Sequence, residues 1–213
     1  MHIDSATKKK LKERYGDEMV FAVPSHLMVH IPDQLSHSSE TIETLAQYDQ
    51  LGMYILRSDA EMNMAFQQLI PYVIIKNKKG DKYFVAERIA GDERLTSSYS
   101  IGFGGHIDKE DGHKDVILNG LKRELDEELD MTSVSKPEFI GTIRDLTSST
   151  ADHIGFVFEV SASKVKIKET KKLRGVWMTP QELVNNYFSF EGWSKYIIDN
   201  IYSNMKIERL LNL

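Results

Sequence analysis

The spacing of apolar residues along the chain changes several times, and each change predicts an element. Over residues 72–77 (YVIIKN) and 82–89 (KYFVAERI), β-branched and aromatic side chains crowd together as in buried strands. Lys78-Lys79-Gly80-Asp81 between them predicts a hairpin turn, and Pro71 fits the first position of the leading strand. Residues 100–107 (SIGFGGHI) predict a third strand running through paired glycines. From about residue 114 to 129 the period becomes helical, and Leu118, Leu121, Leu125 and Leu129 form one apolar stripe. Strand patterns return over residues 138–145 and 153–160, with loop 146–152 between them. A basic loop over residues 164–173 and a short strand over 174–178 follow. Thr179, Pro180 and Glu182 then mark a helix start, as N-cap, first-turn proline and capping-box acid. A last helix is expected over residues 190–205, with Trp193, Ile197 and Ile201 at four-residue intervals.

The first third of the chain is less regular. Residues 1–18 are polar and predict a frayed helix or a disordered lead-in. Residues 19–31 (MVFAVPSHLMVHI), interrupted by Pro24, read as two short strands or as a strand and a turn. Residues 40–51 are helical in character, with Ile42, Leu45 and Tyr48 on one side. His26 and His30 have a metal-like spacing but no supporting ligands, so a structural or surface role is expected. Strands and helices in this order predict an α/β class, with residues 1–64 as an accessory α+β segment and 65–213 as the main domain.

Composition narrows the chemistry. The 213 residues are 41% hydrophobic, enough for one sizeable core. A formal net charge of −5 gives no basic footprint for nucleic acid. The absence of cysteine excludes disulfides, thiolate nucleophiles and Cys-ligated zinc. No apolar run approaches membrane-spanning length, and Lys8-Lys9-Lys10 is not followed by the apolar segment of a signal peptide, so a cytoplasmic protein without a membrane partner is expected.

The predicted helix at residues 114–129 carries an anomaly. Glu124, Glu127 and Glu128 share a face at i, i+3 and i+4, with no Lys or Arg on that face within a turn, while Gly120 offers only space. Like charges at this spacing repel, and the nearby negative end of the helix dipole adds to the cost. The face is either solvated acid or the seat of a hard cation such as Mg²⁺, which favours oxygen ligands.

Arg123-Glu124-Leu125-Asp126-Glu127-Glu128, following Gly104-Gly105, resembles the Nudix box, G-x5-E-x7-R-E-U-x-E-E-x-G-U with U aliphatic. Counting back seven intervening residues from Arg123 puts Asp115 at the position of the first Glu. Gly105 then serves as the box glycine with four extra residues in the loop, Asp130 replaces the last glycine, and Met131 fills the final aliphatic position. Gln67, Leu69, Ile70, Pro71 and Tyr72, with Gly104-Gly105-His106 further on, resemble a phosphoesterase branch of that superfamily with an N-terminal extension.

The resemblance implies an α/β/α sandwich with a mixed sheet, and a hydrolase that cleaves the diphosphate bond of a nucleoside diphosphate linked to another moiety. It implies Mg²⁺, or Mn²⁺, held by the Gly104 carbonyl, Glu124, Glu127 and Glu128. Glu124 and Glu128 are then catalytic, and Arg123 braces the loop through Asp115 or backbone carbonyls. Asp111 and Asp115 are the candidates to cap the helix. A base outside the box is expected on a later loop, with Glu169 first and Asp152 behind it. Arg88 and Arg94 are the candidates to face substrate. The N-terminal segment either covers the site or builds a homodimer. The competing function is a nucleotide-binding regulatory domain without turnover, favoured by Asp115 in place of Glu, Asp130 in place of Gly and the longer loop, and opposed by the intact Glu124, Glu127 and Glu128. An isoprenoid-diphosphate isomerase needs a catalytic cysteine that this chain lacks.

Overall fold

The computed structural model describes residues 4–37, 41–89 and 98–211, the side chains of 207–211 excepted. It is a mixed α/β protein with a mixed sheet and helices. Two compact units make it up. One takes in the chain up to Tyr72 together with Gly104–Glu124 and Phe139–Val157; the other takes in Val73–Phe103, Leu125–Glu138 and the chain from Phe158 onward.

The first unit begins with α1 (Ser5–Tyr15), which Asp4 caps by accepting from the Ala6 and Thr7 N–H groups. Strand β1 (Met19–Pro24) is followed by a 3-10 turn over Ser25–Leu27, so the strand-and-turn reading of this stretch holds, and His26 and His30 lie at the surface. Strand β2 (Gln34–His37) pairs with β9 (Glu138–Arg144), which neighbours β10 (His153–Ala162). A 3-10 turn over Ile42–Gln47 and α2 (Tyr48–Leu51) bury Leu45 and Tyr48, as the periodicity required. Strand β3 (Met53–Leu56) pairs with β1, α3 (Arg57–Ala60) follows, and β1 continues onto the start of β4 (Phe66–Asn77).

Pro71 stands inside β4, not at its first position as expected. It falls between the last β1 partner at Gln68 and the first β7 partner at Val73, where a missing N–H does least harm.

In the second unit β4 turns into β5 (Tyr83–Arg88). Asn77 organises the turn, its side chain accepting from the Asp81 and Lys82 N–H groups, and Gly80 adopts φ +76°. The expected strand into the glycines is two short pieces, β6 (Tyr99–Ser100) and β7 (Gly102–Phe103), and ends before Gly104. The residues expected as a basic loop contain β11 (Lys164–Ile167), which pairs with β8 (Leu129–Thr132). The Lys-Val-Lys-Ile alternation, exposed and buried in turn, was the strand signal. Strand β12 (Leu173–Met178) pairs with β5, and Thr179 caps α5 (Pro180–Asn185) through the capping box with Glu182. In the last helix, α6 (Gly192–Leu211), Trp193 and Ile197 are buried. Among the described residues no helix is long and apolar enough to cross a membrane.

Candidate functional site

Helix α4 (Val116–Glu128) begins in the first unit and carries Arg123 and Glu124. Its buried face is Val116, Ile117, Gly120 and Leu121, while Leu118 and Leu125 are only half-buried, so the stripe lies slightly around the helix from the predicted one. Gly120 is a packing position rather than open space. A Cβ there would meet Ile107 Cγ1 at 3.0 Å and Asp111 Oδ2 and Pro71 Cγ at 3.3 Å.

Neither Asp111 nor Asp115 caps this helix. Asp115 has φ +53° and is the breaker before it. The cap is Asp49 on α2, whose Oδ2 accepts from the Asp115 N–H at 2.5 Å and whose Oδ1 accepts from the Val116 N–H at 3.1 Å. A carboxylate there satisfies two orphan donors and complements the helix dipole. Asp49→Ala is expected to cost about 1–2 kcal/mol in a urea melt, with Asp49→Asn losing less; equal midpoints for parent and alanine variant would show that the cap is energetically idle.

Arg123 is the hub of the loop before the helix. Its Nε and Nη2 donate to Asp111 Oδ1 and Oδ2, each at 3.1 Å, its Nη2 also reaches the His106 carbonyl at 2.7 Å, and its Nη1 reaches Glu124 Oε1 at 2.9 Å. The bracing acid is thus Asp111, not Asp115. Passing five intervening residues forward from Gly105, rather than seven back from Arg123, lands on Asp111, so the extra residues lie between the acid and the helix. Asp111 Oδ2 also accepts from the Asp108 N–H at 2.9 Å and closes a 3-10 turn over Lys109–Asp111. Burial lowers the Arg123 guanidinium's affinity for its proton, but hydrogen bonds and charge from Asp111 and Glu124 outweigh it and the net shift is upward. Glu124 therefore has a cationic partner, which the helical spacing alone did not show. Tyr54 on β3 closes the loop's far side by donating to the Gly112 carbonyl at 2.6 Å. Burial, then the charges of Asp111, Asp108 and Asp49, push its hydroxyl up to about 12.

Two glycines shape what faces Glu124. Gly104 has φ +152°, and a Cβ there would lie 1.9 Å from the Pro71 carbonyl oxygen, so the position admits only glycine. A Cβ on Gly105 would lie 2.6–2.8 Å from the carboxylate atoms of Glu124. The carboxylate occupies the space that a side chain at 105 would take.

A second cluster was missed. His106 Nε2 and His153 Nε2 are 3.2 Å apart, and Glu61 offers a carboxylate oxygen within 4.8 Å of both. Asp152, expected as a reserve base, is buried and engaged: Oδ1 meets His153 Nδ1 at 2.8 Å and Oδ2 accepts from the Met62 N–H at 2.6 Å. Burial raises its pKa, but the hydrogen bond and charge of His153 and the Met62 N–H hold it below the usual carboxylate range. Burial first, then Arg57, pushes the His106 imidazole down to about 3. These residues are too far apart in sequence for any local spacing to unite them.

The other predicted residues belong to the second unit. Glu127 and Glu128 continue α4, Glu127 exposed and Glu128 half-buried. Arg88 ends β5, half-buried, with its N–H on the Ser98 carbonyl. Glu169 is exposed and ion-paired to Lys172 at 3.0 Å; its neighbour Lys168 donates its N–H to the Glu128 carbonyl at 2.8 Å, which sets that turn beside the end of α4. Arg94 lies outside the described residues.

No protein-family model matches the chain. It is 34% identical over 177 residues to Protein YmaB of Bacillus subtilis, covering 77% of this chain and 85% of the relative. The crystal structure of Tm1382, a candidate Nudix hydrolase, matches with a TM-score of 0.74 at 27% identity, covering 86% of this chain and 98% of that one. A Deinococcus radiodurans structure matches with a TM-score of 0.52 at 16% identity, over 80% of this chain and 98% of that one, a likeness of fold.

Proposed function

The chain belongs to the Nudix superfamily, and on that footing we propose that it is a divalent-metal-dependent hydrolase of a nucleoside diphosphate linked to another moiety. Nudix hydrolases act on phosphoanhydride bonds, and that general activity is the one its likeness to them supports. The observation that carries the reading is the setting of Glu124: one oxygen on Arg123, the carboxylate against a glycine backbone that leaves it room, and Arg123 locked by Asp111 and the His106 carbonyl.

The donor set fits a hard cation. Glu124, Glu127 and Glu128 on one helix and the Gly104 carbonyl offer only oxygens, which suits Mg²⁺ or Mn²⁺. When bound, that ion would supply charge neutralisation at the diphosphate oxygens. Glu124, held beside the loop by Arg123, is the first candidate to accept the proton of the attacking water. Glu169, outside the box, is the second candidate for that proton, and Arg88 and Arg94 are the candidates to meet substrate phosphates. Segment 1–64, proposed as accessory, supplies Asp49 and Tyr54, which hold the helix start and the loop.

With Mg²⁺, a panel of nucleoside diphosphate derivatives is expected to yield a nucleoside monophosphate from at least one member. Glu128→Gln should lower that rate by at least about 100-fold, since even residues that only support a metal's ligands cost 10–100-fold. A folded chain that binds a nucleotide and releases product from no member would instead establish the regulatory reading.

A further inference from the structure

We infer that Glu61, His106 and His153 form a second metal site, distinct from the carboxylate helix, for a divalent first-row transition ion of the zinc class.

The ligands converge from three separate places. Glu61 follows α3, His106 follows the paired glycines, and His153 opens β10. The two ring nitrogens stand 3.2 Å apart, and tetrahedral zinc with Zn–N near 2.05 Å spaces its nitrogens by about 3.3 Å. The rings meet edge to face at 73°, so their Nε2 tips converge instead of stacking.

Two of the three ligands are held from behind. Asp152 Oδ1, as a carboxylate oxygen, accepts from the His153 Nδ1–H, which leaves the Nε2 lone pair aimed at His106. A carboxylate behind a histidine is the usual support of a metal-ligating imidazole. The other oxygen of the same buried carboxylate accepts from the N–H of Met62, the residue after Glu61, which adopts φ +60°. A left-handed backbone at a non-glycine residue is costly unless its surroundings demand it. One aspartate thus orients two of the three ligands. Arg57 donates to Glu61 Oε1 at 3.0 Å and to Glu18 at 2.7 Å, which fixes the Glu61 carboxylate itself.

Two imidazoles and one carboxylate suit zinc, cobalt, iron or manganese, whereas magnesium favours oxygen alone. Three protein ligands leave a fourth position for water. The rival reading is a plain hydrogen bond between two neutral imidazoles, which needs no ion.

The test is metal binding rather than turnover, so it is independent of the hydrolase reading. The full chain, stripped with a chelator, is titrated with Co²⁺ and followed by its visible absorption. The expected result is one nitrogen-ligated cobalt per chain, displaced by Zn²⁺ and indifferent to millimolar Mg²⁺, with a raised melting temperature. His106→Ala and His153→Ala should each remove the bands, and Asp152→Asn should weaken binding by about 10–100-fold. Glu61→Gln, which keeps an oxygen for Arg57, is the folding control: it should melt like the stripped parent and still lose affinity. The inference is overturned if the parent takes up no cobalt, if Mg²⁺ displaces it, or if Glu61→Gln and the histidine variants bind as the parent does. Cobalt at this site in a protein that hydrolyses nothing would overturn only the proposed activity.

Discussion

Arg123→Met is expected to destabilise the protein by about 3–5 kcal/mol, the usual consequence of leaving a buried charge without its partner. The Asp111 side chain is 2% exposed and receives Nε and Nη2 of the guanidinium, so removing them strands a carboxylate away from water. The His106 carbonyl and Glu124 lose a donor at the same time. Arg123→Lys should recover little, because one ammonium cannot span both oxygens of Asp111 and also reach Glu124. Arg123→Met combined with Asp111→Leu should recover most of the loss, since the cost lies in the unpaired charge. Urea melts read all three. A single Met variant within about 0.5 kcal/mol of the parent, the range of an ordinary surface change, would mean that the pair is ornamental.

Gly105→Ala should do the opposite: keep the fold and lose the site. The three atoms nearest the added methyl all belong to the end of the Glu124 side chain, at 2.6–2.8 Å, which can swing away at little cost in stability. A catalytic or metal-ligating carboxylate moved by about 1 Å costs on the order of 100-fold in rate. The expected outcome is therefore a near-parental melt with Mg²⁺-supported turnover, or Mn²⁺ affinity where no substrate is in hand, reduced by that order. Parental values of both would place Glu124 outside the working site. Gly104→Ala is the contrast. There the methyl would lie 1.9 Å from the Pro71 carbonyl at φ +152°, so the fold itself must give.

These two positions show how much of the site was legible beforehand. Arg123, Glu124, Glu127 and Glu128 sit on one helix, and helical periodicity is a local property that a sequence displays. The identity of the bracing acid was not local. Asp111 and Asp115 both lie in a loop of unusual length, and counting from either end gives a different answer. Only the folded chain puts Asp111 under the guanidinium and turns Asp115 into a left-handed breaker.

The strand at residues 164–167 is a related lesson. Its alternation was visible, but its lysines suggested a loop, because the exposed face of a two-stranded ribbon is as polar as one. The cap on α4 was out of reach, since Asp49 is 66 residues from the N–H it accepts.

By itself, the sequence determined the β4–β5 hairpin, the strands β9, β10 and β12, the acidic helix and the glycine pair before it, because periods of two and 3.6 residues and the space a side chain needs are written residue by residue. Tertiary structure alone decided which aspartate braces Arg123, which one caps the helix, and that Glu61, His106 and His153 share one place. Those are contacts between segments far apart in the chain, and only folding brings such segments within hydrogen-bonding reach.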